Sequence, residues 1–192
     1  MDRSHGYERH AEAFATLRDR SEIGAGLVRR WAQALPAGCE VLEIGCGAGH
    51  PVSRELVAAG LKLWAIDASP SLLACFRERF PEVPTRCEPA EASELFGRRF
   101  DAVISIGLIF LLDEAAQLAL IERFSAALRP DGQLLFSAPE QIGSWNDRLT
   151  GLESRSLGKE RYEAALRQHG LQVVGHRHDR GENHHYEARK VG

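Results

Sequence analysis

Short apolar runs alternate along this chain with longer segments whose apolar positions return at helical spacing. The runs Glu40 to Ile44, Leu61 to Ile66, Pro84 to Cys87, Phe100 to Ile106 and Gln133 to Ser137 read as strands. Between them, helices are predicted from Pro51 to Ala59, from Ser71 to Phe80 and from Asp113 to Leu128. Each has recognisable ends: Gly60 and Pro81 stop the first two, and Ser69-Pro70 and Asp113 supply N-caps for the last two. Arg129-Pro130-Asp131-Gly132 reads as a turn. Upstream, Tyr7 to Leu17 reads as a polar helix and Ser21 as the cap of a second helix ending at Leu35. Downstream, Pro139 to Leu157 reads as irregular, Lys159 to Gln168 as a helix, and Leu171 to His178 with His184 to Lys190 as a hairpin across Asp179 to Asn183. Alternating strands and helices predict a doubly wound α/β fold, a mostly parallel sheet with helices on both faces and right-handed crossovers. The closing hairpin adds one antiparallel strand.

The first strand carries the densest chemical signal. Val41-Leu42-Glu43-Ile44 runs into Gly45-Cys46-Gly47-Ala48-Gly49-His50-Pro51, three glycines at every second position before a helix. Such a turn lets main chain approach a bulky ligand closely, with a helix N-terminus behind it. A dinucleotide fingerprint needs its third glycine at residue 50, where His50 stands, which weighs against a nicotinamide-dependent oxidoreductase. Asp67 ends the second strand at the distance expected of a ribose-binding acid. The ends of the first four strands, with Glu88 to Glu91 and Ile106-Gly107, face one crevice.

The E-x-G-x-G-x-G spacing from Glu43 to Gly49 resembles the first motif of class I S-adenosylmethionine-dependent methyltransferases. The likeness extends over Glu40 to Pro139 and includes Leu128 to Leu135, similar to the family's L-x-P-G-G-x-L turn with Asp131 in place of a glycine. The resemblance implies a seven-stranded sheet of order 3-2-1-4-5-7-6 and S-adenosyl-L-methionine as cofactor, leaving S-adenosyl-L-homocysteine as product. It implies that Glu43 holds the methionine amino group within the loop Gly45, Cys46, Gly47 and Gly49, and that Asp67 with Ala68 grips the ribose. Relatives often read D-A-E and bind adenine where this chain has Pro89-Ala90-Glu91, so the Ala90 N–H and Glu88 or Glu91 are left for the ring. Ile106 and Gly107 offer main chain to the methionine end, and Tyr7 is a lid contact by likeness to N-terminal segments that fold over the cofactor.

On the acceptor side, the N-terminal segment, the 139–157 stretch and the Asp179 to Asn183 loop are expected to converge over the strand ends. Pairing His178 with His184 sets His176, His178, His184 and Tyr186 on one face of the hairpin. General base, metal ligand and half-exposed edge histidine are the open readings; His184 and His185 are the candidates to touch the acceptor, and no metal is assigned. Trp145, Leu149 and Leu152 are candidate pocket walls.

Composition narrows the rest. The 192 residues suit one domain, with 1–35 as a helical cap and 139–157 as a substrate-side insertion. A net charge of −3 without a Lys/Arg stripe points to a small-molecule acceptor and away from nucleic acid. The resemblance implies the same, since Ser105 to Phe110 stands where base-methylating relatives carry a D/N-P-P-Y/F pattern. No apolar run spans a bilayer, Met1 to His5 opens polar, and four cysteines lack C-x-x-C pairing, so a cytoplasmic monomer or homodimer with free thiols is expected. A non-catalytic protein binding the same cofactor or its product is the alternative from another class.

Overall fold

The structure is a computed structural model that describes residues 3–192; Met1 and Asp2, part of the expected polar opening and cap, lie outside the described residues. A 3-10 turn at Tyr7–His10 leads into α1 (Ala11–Asp19) and then α2 (Ala25–Ala34). The alternating core follows: β1 (Glu40–Ile44), α3 (Val52–Ala58), β2 (Lys62–Asp67), α4 (Pro70–Arg79), β3 (Thr85–Cys87), β4 (Phe100–Ser105), α5 (Glu114–Ala127) and β5 (Leu128–Ser137). A small hairpin, β6 (Gly143–Asn146) and β7 (Glu153–Ser156), precedes α6 (Lys159–Gln168), β8 (Leu171–His178) and β9 (His184–Lys190).

The main sheet has the order β3-β2-β1-β4-β5-β9-β8. With the β6–β7 hairpin set aside, that is the implied 3-2-1-4-5-7-6. β9 runs antiparallel to both neighbours, so β8 returns to the common direction and its loop to β9 emerges at the same end as the glycine turn. Strand alternation divides the core into two layers. Leu42, Ile44, Val103, Phe124, Phe136 and Tyr186 pack on the α5–α6 side. Val41, Trp31, Leu56, Ala65, Phe76 and Leu135 pack on the α2–α4 side. Burying an aliphatic or aromatic side chain of this kind contributes about 1.5–3 kcal/mol, which fixes the strand register.

Two predicted caps form: Ser69 accepts from Leu72 N at 3.2 Å and Asp113 from Ala116 N at 2.9 Å. Three expectations are corrected. Ser21 does not cap α2; its hydroxyl accepts from Ile23 N, and the helix starts after Gly24, whose φ of 86° breaks the path. Arg129 to Gly132 is no free turn but an irregularity inside β5, where the register against β4 shifts and Asp131 takes φ 64°. The 139–157 stretch is not irregular throughout, because Gly143–Asn146 and Glu153–Ser156 pair antiparallel. That hairpin has an almost wholly exposed first strand, so no amphipathic alternation announces it. No helix among the described residues is long and apolar enough to cross a membrane.

Candidate functional site

A cavity of about 560 Å³ opens at the carboxyl ends of β1, β2 and β4. Its floor is the glycine turn. Gly45 N and Cys46 N both donate to Ile66 O, at 2.9 and 3.1 Å, which ties the turn to the end of β2. Gly45 sits at φ 80° with a Cβ position already 3.2 Å from Leu108. Gly49, expected as a cofactor contact, is not in the cavity wall. It packs instead against α4, where a Cβ would come within 2.4 Å of the Phe80 ring. The other expected cofactor residues, Tyr7, Glu43, Gly45, Cys46, Gly47, Asp67, Ala68, Ala90, Glu91, Ile106 and Gly107, all line it, as do His184 and His185. Gly107 offers less than expected, since its N–H already donates to Ser137 Oγ at 2.8 Å. Pro51 stands at the N-cap of α3 rather than in its first turn.

Two carboxyls mark the floor. Asp67 Oδ2 accepts from Gly47 N at 2.7 Å and Oδ1 from Ser69 N at 2.8 Å, so one side chain joins the glycine turn to the start of α4. Burial raises its pKa against those bonds. Glu43 is buried beneath the turn, where Ser53 Oγ donates to it at 2.6 Å. Burial, and then the nearby Asp67 charge, push its carboxyl up to about 8 against that bond. A buried acid so raised becomes a strong partner for a cation entering beside it.

The N-terminal segment folds over this floor. Glu8 accepts from Ser69 Oγ and from Ser71 N and Oγ at 2.5–3.1 Å, fastening the 3-10 turn to the start of α4. Arg79 forks onto Asp19 and also donates to Ala48 O. Tyr7 OH donates to Asp147 Oδ2 at 3.0 Å, linking this cap to the β6–β7 hairpin, and burial raises the phenol's pKa well above its usual range. Ile23 meets the β8–β9 loop at Gly181. One residue escaped the sequence reading: Arg18 of α1 lines the cavity, faces Asp179, Tyr7 and Glu43, and has no hydrogen-bonded acceptor among the described residues. Desolvation lowers its pKa. No local pattern distinguishes it from the other arginines of a polar helix.

The histidines separate by strand parity. His178 and His184 form the expected cross-strand pair, beside His176 and Tyr186. His184 Nδ1 lies 3.2 Å from Ala138 O, and its Nε2 lies 3.0 Å from His176 Nδ1. His185 points to the opposite face, fully buried, with Nε2 3.2 Å from Asp179 Oδ2 and Nδ1 without a partner. Burial lowers both the His184 and His185 pKa values, and Asp179 opposes that for His185. Asp179 itself is held low by Asn183, His185 and the Gly181 and Asn183 N–H groups, which outweigh its burial. Trp145 lines the cavity and packs on Phe110 at 5.7 Å between ring centroids. Leu149 and Leu152 do not line it; Leu152 lies against Gly6 instead.

The sheet order, with the glycine turn and the acid-ended β2 at one end of the strands, is a Rossmann-like fold similar to that of solved class I S-adenosylmethionine-dependent methyltransferases. Residues 41–132 match the family described as "Methyltransferase domain". The chain is 28% identical over 134 residues to a tRNA U34 carboxymethyltransferase of Hahella chejuensis, covering 65% of this chain and 41% of that protein. It is 32% identical over 112 residues to a ubiquinone biosynthesis O-methyltransferase of Xanthomonas axonopodis, covering 55% of this chain and 45% of that protein. It thus spans about half the length of these curated relatives. Its fold matches the Burkholderia thailandensis 1,6-didemethyltoxoflavin-N1-methyltransferase, solved with its substrate and S-adenosylhomocysteine, at a TM-score of 0.69. That match has 23% identity and covers 94% of this chain and 90% of the other.

Proposed function

We propose that this protein binds S-adenosyl-L-methionine and transfers its methyl group to a small-molecule acceptor. The observation that carries the reading is the glycine turn fastened to Asp67 over the buried acid Glu43, the three set along one cavity floor. Asp67 takes the ribose hydroxyls, and Ala90 with Glu91 takes the adenine. Glu43 and Arg18 take the ammonium and carboxylate of the methionine tail, each charge meeting its opposite out of bulk water. Methyl transfer is an in-line displacement. The acceptor's lone pair forms a bond to the methyl carbon as the carbon–sulfur bond breaks, and the sulfur keeps that electron pair as neutral S-adenosylhomocysteine. The sulfonium supplies the activation, so the chain's task is alignment and exclusion of water.

An acceptor that arrives protonated needs a base. His185 is the better placed of the two candidate histidines. Asp179 holds Nε2–H and burial favours the neutral ring, which leaves an unpartnered Nδ1 lone pair, enclosed in the wall, for the proton of an acceptor seated against it. The relative named for tRNA U34 raises a second reading, a nucleic-acid acceptor. The charge balance argues against it, because a net charge of −3 without a Lys/Arg stripe offers phosphodiesters no basic footprint. The four cysteines are unpaired, consistent with a cytoplasmic setting. The test is calorimetry with S-adenosylmethionine and S-adenosylhomocysteine, followed by a metabolite screen for S-adenosylhomocysteine release with and without RNA. Binding without turnover on any extract would leave a non-catalytic cofactor-binding protein. No binding of either compound at millimolar concentration would end the reading.

A further inference from the structure

At the edge of the cavity away from the glycine turn, Glu140 follows β5 and stands between the cross-strand partners His178 and His184. Its Oε1 is 3.4 Å from His184 Nε2 and its Oε2 is 3.6 Å from His178 Nε2. One ligand atom from each of the three side chains lies within 4.8 Å of the other two. Two nitrogen or oxygen ligands at about 2.0–2.1 Å from a tetrahedral ion are themselves about 3.4 Å apart. One edge of a tetrahedron, from Glu140 Oε1 to His184 Nε2, is therefore at length. The two edges to His178 close by rotation of that side chain, which is 56% exposed.

The buried member is already oriented as a ligand. His184 Nδ1 is directed at Ala138 O, so that nitrogen carries the hydrogen and Nε2 presents its lone pair to Glu140 and His178. Imidazole and carboxylate together favour late first-row divalent ions over magnesium or calcium. A hydrogen bond from His176 Nδ1 is the competitor that an ion must displace.

We propose that Glu140, His178 and His184 form a binding site for a divalent transition ion of the zinc class, with its open position toward the acceptor side of the cavity. Resting on the functional reading above, that position suits a hydroxyl or thiol acceptor as the remaining ligand.

The test uses the full chain without a polyhistidine tag, stripped by chelator and titrated with zinc against a chromogenic competitor. One equivalent per chain is expected, with a tetrahedral visible spectrum when cobalt replaces zinc. His178→Ala and Glu140→Gln, both rim changes compatible with folding, should each weaken zinc by at least about tenfold, whereas His169→Ala should not. Absence of stoichiometric binding, or equal affinity in the wild type and the two rim variants, overturns the site. S-adenosylmethionine binding by the same stripped wild type is followed in parallel. A chain that takes the cofactor but no zinc refutes this inference alone, and one that takes zinc but no cofactor refutes the functional reading alone.

Discussion

The two walls of the cavity are built in opposite ways. The wall proposed for the cofactor comes from one strand–turn–helix–strand unit, and its key bond, Gly47 N to Asp67, joins residues 20 apart. The wall proposed for the acceptor is assembled from three distant pieces, and its tie from Tyr7 to Asp147 joins residues 140 apart. The first is specified by backbone conformation, which a few glycines and an acid impose locally. The second depends on side chains meeting across the fold. A chain built this way can hold its cofactor grip constant while its acceptor wall changes.

The sharpest break should come at Gly49. Gly49→Val places a branched side chain at φ 92° against Phe80, and should cost about 3 kcal/mol in denaturant unfolding and abolish cofactor binding with it. On the other wall, His185→Gln should lower turnover on a hydroxyl or thiol acceptor by about a hundredfold. Asp179→Asn, acting through the ring it orients, should lower it less and shift the pH profile; equal turnover in both variants would remove the base. Asp67→Ala should weaken S-adenosylmethionine by more than about tenfold in calorimetry, since buried donors and ligand hydroxyls lose their acceptor.

Glu43 gives the comparison a pH signature. Its carboxyl is protonated below about 8, so affinity for the cationic cofactor should rise toward that pH, by at most about tenfold per unit. Folding responds in the opposite sense. The native chain holds a proton that the unfolded chain releases between 4.5 and about 8, so stability falls as pH rises through that window. Glu43→Gln should flatten both slopes, and an unchanged profile would show that Glu43 does not meet the ammonium. The smallest effect belongs to the lid: Tyr7→Phe removes one hydrogen bond to Asp147, worth about 1 kcal/mol, visible as faster cofactor release.

By itself the sequence determined the strands of the main sheet, the glycine turn, Asp67 at the end of β2 and the caps at Ser69 and Asp113, because each rests on periodicity or on a backbone rule acting over a few residues; the strand order came from the family resemblance. It also placed His178 opposite His184, since the loop length sets hairpin register. The tertiary structure alone decided that Gly49 meets Phe80 rather than the cavity, that Arg18 turns inward, that residues 143–156 form a hairpin, and that His185 reaches Asp179. These outcomes depend on which surfaces are adjacent after folding, and long-range proximity leaves no mark on local composition.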